Sequence, residues 1–123
     1  MCGITGIYNF GGKPVDQPLI RKMTETLYHR GPDDGGDYFD GTLGLGHRRL
    51  SILDLSKAGH QPMASRGGKV VITFNGEIYN FKELRSELEK YGHKFFSNTD
   101  TEVIINGYIQ WGLDVIPKLN GMF

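Results

Sequence analysis

The only cysteine among the 123 residues stands at position 2, and the chain opens Met1-Cys2-Gly3-Ile4-Thr5-Gly6. Loss of Met1 would leave a sulfur nucleophile and a free α-amine on one residue. A thiol attacks as its thiolate, and a free α-amine titrates at roughly pH 7.7–8.0, so nucleophile and base would arrive together. A lone cysteine also serves as a small buried hydrophobe, and its position alone does not choose between the two roles.

Other segments carry groups able to hold or polarise a substrate. In Gly46-His47-Arg48-Arg49-Leu50-Ser51-Ile52-Leu53 a strand would send Arg48 and Arg49 to opposite faces, one as a solvated charge and the other free to fork onto a carboxylate. Asn75-Gly76 follows a β-branched run and reads as a hairpin turn. A side-chain amide beside an approachable glycine N–H also supplies two donors to a developing oxyanion. Asp100, in Ser97-Asn98-Thr99-Asp100-Thr101-Glu102, is placed to cap a helix, the reading its spacing favours, with pairing to a ligand amine as the alternative. His29-Arg30-Gly31-Pro32-Asp33-Asp34 reads as a helix stop with cations in the last turn. No metal site is expected, because His29, His47, His60 and His93 lack i,i+3 or i,i+4 partners and one cysteine makes no thiolate cluster. Neither a Walker pattern nor a strand-linked Gly-x-Gly-x-x-Gly occurs, which argues against a phosphate loop.

The scaffold behind these groups reads as one α+β domain. The 14 basic and 14 acidic side chains cancel, which gives no footprint for nucleic acid or a membrane surface. A single cysteine, no signal-peptide pattern and no membrane-length apolar run together suggest the cytoplasm. Glycine, at 18 residues, is about twice its usual ~7% share, so tight turns or close backbone approaches are expected. Apolar period predicts a strand from Ile4 to Phe10, then a helix capped by Asp16, with Pro18 in its first turn, running through Leu19, Ile20, Met23 and Leu27 to Gly31-Pro32. Strands are predicted over 37–40, 43–47, 50–53 and 69–74, the last as a buried strand. A second helix should start in a capping box of Asn80 and Glu83, bury Phe81, Leu84 and Leu88, and end at Gly92. A strand over 93–96 should follow. Asp100 should cap a third helix to about Trp111 with Val103, Ile104 and Tyr108 inward, and 113–119 should form a short fourth.

Taken in order, the motifs resemble those of the class II, N-terminal-nucleophile glutamine amidotransferases, and within them the glutaminase domain of glutamine-hydrolysing asparagine synthetases. The resemblance covers the whole chain. It rests on Cys2-Gly3-Ile4, His29-Arg30-Gly31-Pro32-Asp33, His47-Arg48-Arg49-Leu50-Ser51-Ile52, Gly59-His60-Gln61-Pro62-Met63, Asn75-Gly76-Glu77-Ile78-Tyr79-Asn80, Thr99-Asp100-Thr101-Glu102-Val103-Ile104 and Gly121-Met122-Phe123. Pro32 and Arg49-Leu50-Ser51-Ile52 fit the asparagine synthetase branch better than the branches that make glucosamine phosphate or phosphoribosylamine.

The resemblance implies a four-layer α-β-β-α sandwich and a role for each matching residue. Cys2 would attack the amide of L-glutamine and form a thioester, with its α-amine as base and then acid. Asn75 and Gly76 would hold the oxyanion. Arg49 would clamp the α-carboxylate, Glu77 and Asp100 the α-ammonium, and Leu50, Ser51, Ile52 and Leu53 would line the pocket. Arg30 would order the N-terminal end of the site. The resemblance also implies that residues 1–123 are a C-terminally truncated domain, lacking both the last strands of the sandwich and an ATP- and magnesium-using synthetase domain, and that the full-length protein is able to form a homodimer. No cofactor is expected for glutamine hydrolysis. Two alternatives to an asparagine-forming enzyme stand beside this: a non-catalytic module that only binds glutamine or a synthetase partner, and an amidotransferase with another acceptor.

Overall fold

The computed structural model describes residues 1–123 in two units: Met1–Ser51 with His60–Pro62 and Thr73–Asn75, and Ile52–Gly59 with Met63–Ile72 and Gly76–Phe123. The elements form an α+β fold whose sheets are antiparallel. No helix is long and apolar enough to cross a membrane.

In the first unit β1 (Gly3–Tyr8), β3 (Leu43–Arg49) and β2 (Asp34–Asp40) form one sheet with β3 in the centre. Gly3 lies opposite Arg48, and His47 lies opposite both Ile4 and Gly36. Because side chains alternate, Gly44, Gly46 and Arg48 share one face while Leu45, His47 and Arg49 share the other. Helix α1 (Gln17–Glu25) covers the glycine face. A Cβ on Gly44 would lie 2.8 Å from Ile20, and one on Gly46 would overlap the Thr24 hydroxyl. Only glycine permits that approach.

Asp16 caps α1 as predicted, accepting from the Leu19 N–H at 3.0 Å. The helix nevertheless ends at Glu25, well before Gly31, and a 3₁₀ turn (Tyr28–Arg30) takes its place. The Thr26 hydroxyl donates to the Met23 carbonyl, and the Leu27 N–H bonds Thr24 rather than Met23. Such local bonds tighten a last turn. The strand predicted from Leu50 does not form, because its donors go elsewhere: the Leu50 N–H to Cys2 Sγ and the Ser51 N–H to Asp33. His60–Pro62 and Thr73–Asn75 complete this unit, tied to each other by the Phe74 N–H on Gln61 Oε1 at 2.7 Å.

The second unit is helical, with two short strand pairs. β4 (Met63–Ala64) pairs with β5 (Val71–Ile72), and β6 (Glu77–Ile78) with β7 (Gly121–Met122). The buried strand predicted over 69–74 shrinks to two half-buried residues: the Ser65 N–H on the Val70 carbonyl closes the turn at one end, and at the other the register puts Pro62, which has no N–H, opposite Thr73. Asn75-Gly76 does not make a hairpin, because β5 and β6 belong to different sheets.

Helix α2 (Phe81–Lys90) starts after Asn80 and closes at Gly92, where φ is 91°. The capping box is not made. Asn80 turns instead to the chain near β7, donating to Lys118 O and accepting from the Asn120 N–H, both at 2.9 Å. The strand predicted over 93–96 is also absent, since the Phe96 and Ser97 N–H groups bond the Glu102 carboxylate. Helix α3 (Asp100–Trp111) is capped by Thr99, whose hydroxyl accepts from the Glu102 N–H at 3.2 Å, and not by Asp100. Its inward face is Val103, Ile105 and Asn106; Ile104 is half-buried and Tyr108 exposed, contrary to the predicted face. The last helical segment is a 3₁₀ turn (Gly112–Lys118).

Candidate functional site

The first unit gathers the Cys2 end of β1 against the end of β3. One step beyond the Gly3–Arg48 pair, Cys2 falls on the sheet face that carries His47 and Arg49. Its Sγ accepts from the Leu50 N–H at 3.3 Å, and its S–H reaches the Leu50 carbonyl at 3.6 Å. Arg30 Nε donates to the Cys2 carbonyl at 3.0 Å. Both ends of the residue are therefore fixed.

The segment around Gly31 braces this corner. Arg48, on the helix side of the sheet, donates to the Gly31 carbonyl at 3.0 Å and lies 4.6 Å from the centre of the Tyr28 ring. The Asp33 N–H bonds the Arg49 carbonyl at 3.1 Å, while its carboxylate holds the Ser51 N–H at 2.8 Å. Gly31 lies against the Arg48–Arg49 backbone so closely that no Cβ fits. Arg49 is buried, at 6% exposure. Of the two arginines it is the inward one, the orientation that a carboxylate clamp needs.

His47 is fully buried beside Arg49 on the same face, with Nδ1 3.0 Å from Thr73 Oγ1 and no partner for Nε2. Burial pulls its pKa down to about 4, helped by the Arg49 charge and by His60 and opposed by Asp34. The ring is neutral at physiological pH. Asp34 in turn bonds His60 Nδ1 at 2.7 Å.

In the second unit Asp100 is buried, and its Oδ2 accepts from the Ile78 N–H at 2.9 Å. Burial raises its pKa; the Ile78, Thr101 and Asp100 backbone bonds pull the other way, and Glu77 raises it further. A buried carboxylate beside a second carboxylate is an environment that a cation would relieve. The loop before Asp100 is held by more carboxylates. Glu102 takes the Phe96 and Ser97 N–H groups and the Ser97 hydroxyl, and Asp54 takes the Asn98 N–H at 2.9 Å.

The whole chain, residues 1–123, matches the glutamine amidotransferase domain family. The chain belongs to this family. Among its curated relatives, asparagine synthetase [glutamine-hydrolyzing] 3 of Bacillus subtilis is 42% identical over 126 residues, covering 100% of this chain and 20% of the relative. Putative asparagine synthetase [glutamine-hydrolyzing] 2 of Methanocaldococcus jannaschii is 42% identical over 141 residues, covering 100% and 27%. Asparagine synthetase [glutamine-hydrolyzing] 1 of Arabidopsis thaliana is 37% identical over 124 residues, covering 100% and 21%. The chain thus spans about a fifth to a quarter of these relatives' length.

Within this amidotransferase domain the predicted site residues divide between the units. Cys2, Arg49, Leu50, Ser51 and half-buried Asn75 are in the first; Ile52, Leu53, Gly76, Glu77 and Asp100 are in the second. The structure brings Cys2 into contact with Leu50, and Asp100 within electrostatic reach of Glu77. Ile52 and Leu53 are exposed. The sequence expectation missed His47, Thr73 and Gln61. His47 and Arg49 are two apart in a predicted strand, and the alternation that separates Arg48 from Arg49 also puts His47 beside Arg49.

Proposed function

We propose that this chain is the glutaminase domain of a glutamine-hydrolysing asparagine synthetase, with Cys2 as its nucleophile once Met1 is removed. The observation that carries the reading is the fixed Cys2, its sulfur on the Leu50 amide and its carbonyl on Arg30, at the end of a sheet face that also bears the buried Arg49. Met1 is 54% exposed, which supports its removal by a peptidase.

In this reading Arg49 holds the α-carboxylate of L-glutamine as a two-pronged clamp, and Asp100 with Glu77 takes the α-ammonium. Leu50, Ser51, Ile52 and Leu53 are the residues that would line the glutamine pocket. Cys2 Sγ forms a bond to the side-chain amide carbon while its proton passes to the free α-amine of Cys2. The Asn75 side-chain amide and the Gly76 N–H donate to the oxygen as it becomes negative. The C–N bond then breaks, the nitrogen takes the proton back from the α-amine, and ammonia leaves a γ-glutamyl thioester. Water adds to the thioester and regenerates the thiol, giving glutamate.

None of these steps needs a cofactor. ATP and magnesium would act on a synthetase domain in the same polypeptide, where aspartate would be activated to receive the ammonia. The amidotransferase domain would be an α-β-β-α sandwich. The cytoplasm is the expected location, and a homodimer the expected assembly of the full-length protein. Intact mass of the purified protein should show Met1 absent, and a glutamine-analogue electrophile should label Cys2. Cys2→Ala should lower glutamate release by at least ~10⁴-fold. A retained Met1 in active protein, or full activity without Cys2, would sink the reading.

A further inference from the structure

Resting on that reading, we propose that His47 is a positioning residue, which holds the oxyanion donor Asn75 over the Cys2 face of the sheet through the hydroxyl of Thr73. His47 Nδ1 lies 3.0 Å from Thr73 Oγ1, and the same hydroxyl donates to the Gly46 carbonyl at 3.4 Å. A hydroxyl has one proton. With that proton on Gly46, Oγ1 accepts from Nδ1–H, which assigns the neutral Nδ1–H tautomer and leaves Nε2 as a bare lone pair. That lone pair is sealed from solvent without a partner. An unpaired buried acceptor is a cost that an apolar side chain would avoid, so the Nδ1 bond is what the ring supplies here.

The bond restrains a segment that lies outside the strands. Thr73–Asn75 forms no strand, and the Phe74 N–H on Gln61 Oε1 at 2.7 Å ties it as well. His47 and Arg49 share a sheet face with Cys2, so a link from His47 to Thr73 sets the height of the segment above the face that carries the nucleophile. Asn75 is two residues further on. Its donor matters only as the amide oxygen becomes an oxyanion, so misplacing it slows chemistry and leaves ground-state binding of glutamine in place. A displacement of about 1 Å is enough for about 10²-fold.

The test uses steady-state glutamine hydrolysis by the full-length protein. Thr73→Val should lower kcat by about 10–100-fold with KM nearly constant, and Thr73→Ser, which keeps the hydroxyl, should restore it. His47→Phe should match Thr73→Val, and His47→Asn, whose amide N–H replaces Nδ1–H, should lose less. Alkylation of Cys2 by iodoacetamide, which passes through no oxyanion, should proceed at the wild-type rate in Thr73→Val. In an Asn75→Ala background Thr73→Val should have no further effect. The proposal fails if Thr73→Ser is as slow as Thr73→Val, or if Thr73→Val turns over at the wild-type rate. It also fails if kcat, KM and alkylation deteriorate together, or if the Thr73 and Asn75 effects multiply. A Cys2→Ala protein with full activity would instead overturn the glutaminase reading itself.

Discussion

The two units fix their polar residues by different means. In the first, the register of a three-stranded sheet decides which side chains share a face, and Cys2, His47 and Arg49 follow from it. In the second, the strands are two residues long, and carboxylates that accept backbone N–H groups do the fixing: Glu102 for Phe96 and Ser97, Asp54 for Asn98, Asp100 for Ile78. A ladder spreads its restraint over many bonds, whereas a carboxylate concentrates it in one side chain. Single substitutions should therefore damage the second unit locally and severely, and the first more gradually.

The sharpest break in that contrast is Glu102→Ala. Glu102 is 2% exposed and answers three donors, so its loss strands them in the interior. The expected cost is about 3 kcal/mol or more, read as lost hydrogen-exchange protection at the Phe96 and Ser97 amides. A loss below about 1 kcal/mol would show that the carboxylate is not the anchor.

Next in size is an effect in the first unit that depends on pH. His47 is neutral in the folded chain, with its pKa held at about 4 against a usual 6.5. Between those values the unfolded chain binds the extra proton, so stability is fully present above about pH 6.5 and is lost as pH falls towards 4. The total loss is about 3 kcal/mol. Exchange protection of β3 amides should decline over that window, and the decline should flatten in His47→Asn. A wild-type profile that is level from pH 7 to 4 would refute the burial argument.

Asp100 has the opposite sign. Its pKa is raised, so ionisation on going from acid to neutral pH weakens the fold instead of strengthening it. Asp100→Asn keeps an oxygen for the Ile78 N–H and removes the charge. Stability of α3 at neutral pH should be equal or higher, while KM for glutamine should rise about tenfold through the lost partner for its ammonium. Reduced stability with unchanged KM would reverse the assignment of this residue from ligand to structure.

These same residues show why the sequence was legible in some places and silent in others. The Cys2 motif, the Asp16 cap and the alternation along β3 are written in residue types a few positions apart, and local rules read them. The false strands over 50–53 and 93–96 have the right apolar pattern, but their N–H groups are taken by Asp33 and Glu102. Partners separated by 18 residues leave no period to detect. Thr99 and Asp100 are adjacent and both able to cap. Only the tertiary claim of the Ile78 N–H on Asp100 decides between them. The family motifs name Cys2, Arg49 and Asp100, whereas nothing in the residues around His47 points to Thr73, its hydrogen-bond partner 26 residues away.

The smallest predicted effect tests the contrast most directly, because the same kind of bond occurs in both units. Asp16 caps α1 through one bond at an exposed helix end. Thr99 caps α3, but its hydroxyl also meets Ser97 Oγ at 2.9 Å, and that hydroxyl donates to Glu102. Loss of a cap costs about 0.5–2 kcal/mol. Asp16→Ala should fall near the lower end and Thr99→Ala near the upper, measured as protection of the first-turn amides in each helix. Coupling separates the two further: Thr99→Ala should cost less in a Glu102→Ala background, since the network it supports is already gone, whereas Asp16→Ala should cost the same in either. Equal and additive costs for both caps would mean that the carboxylate network of the second unit is a set of independent bonds, and that the difference between the units is only one of strand length.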